Sequence, residues 1–169
     1  WNGMTATDEL KNQINFSSAY MNNSQVAVIR MADAAKYKDL ASMSGAKVVA
    51  EAGSAGEIAV KADAGLSKSY LPVKDQGTSL MEVKSKTADI AIIDAVTAAG
   101  SIGEGTDYDD LMIVDVISSA DSEVYAVGIR KSDTELTAKI NAAIKELYDD
   151  GTLAKLAEKY NLSGRVIAQ

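Results

Sequence analysis

Short β-branched runs alternate along this chain with stretches in which apolar residues recur every three or four positions. Gln25–Met31 (QVAVIRM) and Lys47–Glu51 (KVVAE) predict strands. Ala88–Asp94 (ADIAIID) is a continuous apolar run ended by an acid, the pattern of a buried parallel strand. Leu111–Val116 and Val124–Arg130 predict two more strands, and Tyr70–Lys74 a short extended piece around Pro72. Thr7 predicts the N-cap of a short helix, and a second helix runs from about Glu57 to Ala64. Ser79 with Glu82, and Ser132 with Glu135, have capping-box spacing and predict two further helix starts. Leu136, Ile140, Ile144 and Leu147 form one stripe that reads as core. Gly151 stands where a C′ glycine belongs, before a last helix from about Thr152 to Tyr160. Strands separated by helices imply βαβ units, a mostly parallel sheet and the α/β class.

Composition narrows the chemistry. With 169 residues the chain makes one full domain or two small lobes. It has neither cysteine nor histidine, which excludes disulfide scaffolds, Cys/His zinc sites and Ser-His-Asp triads. Lys and Arg total 17 against 24 Asp and Glu, a net charge of -7, which argues against a nucleic-acid partner. No apolar run approaches the roughly 18 residues that span a bilayer. The expectation is no metal and no cofactor.

Three places could hold a ligand. Gly53-Ser54-Ala55-Gly56 leads from a strand into a helix N-terminus, where free backbone N–H groups favour a carboxylate or phosphate; the alternative is a tight turn with Ser54 as N-cap. The spacing is neither the dinucleotide nor the P-loop form. Asp94 ends a strand on the side where open α/β sheets bind ligands, and could pair with an ammonium; it could equally cap the next segment. Gly3–Thr7 offers loop amides and hydroxyls, with Trp1 able to cover an apolar part; the alternative is capping at a frayed end. The pairs Asp109-Asp110 and Asp149-Asp150 read as solvated, so no catalytic residue is assigned.

Several segments together resemble one family in order: Asn2–Tyr20 (NGMTATDEL…INFSSAY), Lys47–Gly56, Ala88–Asp94, Val124–Lys131 and Asn141–Lys159. The chain resembles the extracytoplasmic solute-binding proteins of ABC amino-acid importers, and the resemblance covers essentially its whole length. It implies a two-lobed periplasmic binding protein-like fold, N-terminally truncated, with one complete and one partial lobe. Residues 1–21 and 122–169 would form the partial lobe and 22–121 the complete one. The implied function is non-catalytic capture of an amino acid or related small polar solute for a membrane permease. The implied localisation is extracytoplasmic, in a periplasm or lipid-anchored at a cell surface. A signal segment is expected to be absent from this stretch, whose first residue is Trp1.

The resemblance also implies site roles. Trp1, Gly3 and Thr5 would contact the ligand from the partial lobe. Ser54 and Ala55 would present amides to its α-carboxylate, and Asp94 would pair with its α-ammonium. The family's carboxylate-clamping arginine falls at Leu10, leaving the neighbouring Lys11 as the candidate cation. The helix over 136–147 would lack part of its cover, which implies that the incomplete lobe either self-associates with another chain or repacks. Two other readings stay open: a receptor's sensor domain, and a dehydratase-like enzyme on the same fold.

Overall fold

The structure, a computed structural model, describes residues 3–117 and 123–169. In chain order its elements are α1 (Asp8–Gln13), β1 (Asn15–Phe16), β2 (Met21–Asn23), β3 (Gln25–Arg30), β4 (Val48–Glu51), α2 (Ala55–Ala62), β5 (Tyr70–Val73), α3 (Gln76–Lys84), β6 (Ile90–Asp94), α4 (Ala95–Ser101), β7 (Leu111–Val116), β8 (Glu123–Tyr125), β9 (Gly128–Ile129), α5 (Thr134–Asp149) and α6 (Thr152–Lys159). The architecture is α/β. The chain divides into two units: Trp1–Asn23 with Ala120–Gln169, and Ser24–Ser119.

The second unit is built on a five-stranded sheet in the order β5-β4-β6-β3-β7. Only β4–β5 and β4–β6 are parallel; β3 pairs antiparallel with both β6 and β7. The expectation of a mostly parallel sheet is corrected accordingly, since an apolar run shows that a strand is buried but not its direction. Side chains alternate across each strand. Val26 and Val28 of β3 join Val49, Leu80, Ile93 and Leu111 in one core layer, and Ala27 and Ile29 join Val48, Val60, Leu66 and Ile92 in the other. Both faces are therefore covered, which explains the unbroken apolar runs. Pro72 lies on the edge strand β5, where a missing N–H is tolerated. Arg30 fastens the end of β3 to α3: its Nη1 donates to the carbonyls of Val83 and Ala88, both at 2.7 Å, and its Nη2 lies 2.6 Å from Asp33 Oδ2.

The first unit has two two-stranded antiparallel ladders, β1–β9 and β2–β8, with α5 and α6. The strand expected over Val124–Arg130 is two strands, because the chain changes partner between Tyr125 and Gly128. Gly151, at φ 78°, turns α5 into α6 as a C′ glycine. Along the expected stripe Ile144 is buried, whereas Leu136 is 46% and Leu147 40% exposed. The stripe is thus only partly core. Two helix starts also differ from expectation. Asp75 caps α3 by accepting from Thr78 N at 2.7 Å, which leaves Ser79 buried inside the helix. Asp133 occupies the N-cap position of α5 without capping through its side chain, which instead accepts from Arg130 Nε at 2.8 Å.

Candidate functional site

Three element ends of the second unit meet where the central strands β3 and β6 begin and end. Gln25 opens β3 and pairs in register with Asp94, which closes β6. Antiparallel partners in direct register place their side chains on the same face, within reach of one another. Gln25 Nε2 donates to Asp94 Oδ1 at 2.6 Å. From the other side Gln76, the first residue of α3, donates from Nε2 to Asp94 Oδ2 at 2.7 Å. Gln76 Oε1 in turn accepts from the backbone N–H of Asp94 at 3.0 Å. Asp94 stands at the N-cap position of α4 but makes no side-chain cap there. It is 7% exposed, and both of these side-chain partners are neutral amides that orient its carboxylate.

The start of α2 approaches Gln25, the partner of this carboxylate. Ser54 is its N-cap: Ser54 Oγ accepts from Glu57 N at 3.1 Å and donates to the Glu51 carbonyl at 2.7 Å. The amides of Ala55 and Gly56 belong to the first turn, whose N–H groups have no partner within a helix. A Cβ at Gly56 would lie 3.0 Å from both Gln25 Oε1 and the Ile92 carbonyl, so a glycine lets the helix start approach the sheet. Gln25 thus sits between the α2 N-terminus and Asp94. Glu57 closes the turn at Gly53, accepting from its N–H at 2.8 Å. A hydrogen bond from Lys61, then those from Gly53 and Tyr70, pull the Glu57 carboxyl down to about 2. Burial, and next the hydrogen bond to Glu57, push the Tyr70 hydroxyl up. Glu51 is raised by burial first and then by the charges of Asp75 and Asp94, so negative potential gathers here.

The other candidates fall in the first unit. A Cβ at Gly3 would lie 2.5 Å from the Tyr125 ring, and Thr5 bridges to Tyr125 in antiparallel fashion. Lys11 lies on α1, its Nζ 2.8 Å from Asp8 Oδ1 and its side chain 57% exposed. Trp1 is outside the described residues. An apolar pocket of about 170 Å³, lined by Tyr20, Leu153, Leu156, Tyr160 and Val166, offers almost no polar surface. Among the described residues no group of three or more carboxylates could hold a metal ion, and no helix is long and apolar enough to cross a membrane.

The sequence pattern pointed to Ser54, Ala55, Gly56 and Asp94 but missed Gln25 and Gln76. A polar residue heading the buried run QVAVIR was the available signal for Gln25. Gln76 gave none, because its role depends on α3 packing against the end of β6.

The family of bacterial extracellular solute-binding proteins, family 3, matches residues 1–163. The chain belongs to that family. Among its solute-binding relatives, the arginine-binding extracellular protein ArtP of Bacillus subtilis is 33% identical over 162 residues, which cover 94% of this chain and 60% of ArtP. A solved structure of an amino acid ABC transporter substrate-binding protein from Streptococcus pneumoniae, bound to L-arginine, has 27% identity and a TM-score of 0.80 over 96% of this chain and 66% of that one. The ancestral amino acid-binding protein AncCDT-1, a precursor of cyclohexadienyl dehydratase, has 29% identity and a TM-score of 0.78 over 94% of this chain and 65% of that one. The chain therefore spans about three fifths of its curated relative and about two thirds of these solved structures.

Proposed function

We propose that this chain captures an amino acid outside the cytoplasm, with a basic amino acid such as arginine as the first ligand to test. The carrying observation is a buried, braced carboxylate whose partner Gln25 is approached by a helix N-terminus. Asp94 supplies a fixed negative charge for an α-ammonium. The first turn of α2, at Ser54, Ala55 and Gly56, supplies amides and a positive dipole end for an α-carboxylate. The two charges of an α-amino acid need such a pair of opposite poles a few ångströms apart. The arginine-binding relatives support the choice of ligand.

Trp1, Gly3, Thr5 and Lys11 are proposed to contribute further ligand contacts. Ser24–Ser119 is proposed as the complete lobe and the other unit as the partial one. An ABC permease is the proposed recipient of the ligand, with the protein in a periplasm or held at a cell surface by a lipid anchor. The role is proposed as non-catalytic, because binding uses each of these groups without a proton or bond being transferred. Self-association is proposed through the apolar surface of the first unit, where Leu136, Leu156 and Tyr160 are exposed.

Thermal unfolding with and without a panel of amino acids tests this reading. Stabilisation by L-arginine follows RT ln(1 + [L]/Kd), about 2.7 kcal/mol at a hundredfold excess over Kd. Asp94→Asn should lower affinity at least about tenfold, as expected for loss of a charge-assisted contact. No shift with any amino acid, or full affinity in Asp94→Asn, overturns the proposal.

A further inference from the structure

Gln76 ties two elements together through a single side-chain amide. Its nitrogen holds Asp94 Oδ2 at 2.7 Å and its oxygen holds the Asp94 backbone N–H at 3.0 Å. We propose that Gln76 is a positioning residue, which fixes the plane of the Asp94 carboxylate toward an α-ammonium and so sets the preference for ligands carrying one. The inference rests on the amino-acid reading above.

A carboxylate on a single Cβ turns about a broad, two-fold torsion. Here one oxygen is held by Gln25 and the other by Gln76, from different elements, so turning it breaks two hydrogen bonds. Both of these donors are neutral side-chain amides. One side chain both donates to a carboxylate and accepts from an N–H, which suits an amide, with a donor nitrogen and an acceptor oxygen on one plane. Glutamate in its place could accept from the backbone but would set a second carboxylate against Asp94. Asparagine is shorter by one methylene.

The fold permits a clean test. Asp75, not Gln76, caps α3, so the helix start survives loss of the amide. Gln76 is half-buried, whereas Gln25 is 1% exposed and its removal would open a hole. Titration calorimetry on the whole chain compares L-arginine with its α-deaminated analogue, and thermal unfolding verifies that each variant folds. The parent should prefer L-arginine. Gln76→Ala should lose about tenfold in affinity for L-arginine, the scale of a hydrogen bond to a charged group, and bind the analogue as the parent does. Gln76→Glu should lose more than Gln76→Ala, because it sets a second carboxylate against Asp94. Equal losses for both probes, or no loss for either, overturn the positioning role while leaving the amino-acid reading standing. A parent that does not distinguish the probes overturns both.

Discussion

The two units use similar residue types to different effect. Among the described residues, both buried core clusters lie in Ser24–Ser119, and so do 22 of the 27 buried hydrophobic residues; the other unit contributes Tyr125, Ala126, Ile129, Ile144 and Ala157. One unit has a sheet covered on both faces. The other has two separate ladders, and helices whose leucines are 40–48% exposed at Leu136, Leu147 and Leu156. The difference shows that amphipathic patterning is not sufficient for burial. A stripe becomes core only when another element offers a surface to it.

The largest expected effect lies in the covered sheet. Ile92 is 1% exposed between two packed layers, and Ile92→Ala should cost about 3–4 kcal/mol in urea unfolding. Leu147→Ala, on the half-open helix, should cost less than about 1 kcal/mol. Equal costs would erase the contrast between the units.

Acid should separate the units next. Glu57 titrates at about 2 in the folded chain, well below its ordinary value. A lowered carboxyl contributes stability above the unfolded value, and loses it as pH falls through the folded one. Stability should therefore decline between about pH 4.5 and 2, and Glu57→Gln should flatten that limb. The Lys145–Asp149 pair of the first unit has side chains 60% and 55% exposed, and its removal should leave the limb unchanged.

The smallest effect on stability should come from Leu136→Ser with Leu156→Ser, within about 0.5 kcal/mol. The same double variant should reduce binding of an apolar dye and shift a concentration-dependent oligomer toward monomer in size-exclusion chromatography. Unchanged dye binding would mean that those leucines do not form the open surface.

These contrasts explain what could be read before the fold was known. The run ADIAIID marked a buried strand because it was apolar throughout, and the turn before α2 marked itself by Gly53 and Ser54. Capping residues were harder to place. Asp75 prevailed over the Ser79–Glu82 pair because it lies just outside the apolar positions that α3 buries. The antiparallel course of β3 left no trace in its residues. At the candidate site the carboxylate was visible as an acid ending an apolar run. Gln25 and Gln76 were not, because they become neighbours of Asp94 only through strand register and the packing of α3.

The neighbouring course of β3 and β7 has a consequence for engineering. Ile117 N donates to the Gln25 carbonyl at 2.8 Å, so the stretch between them leaves beside the place where it enters. A segment whose ends are adjacent can be excised, transplanted or re-ended with a short linker, because little loop entropy opposes closing it. The covered sheet, with its braced carboxylate, is in that sense a portable cassette.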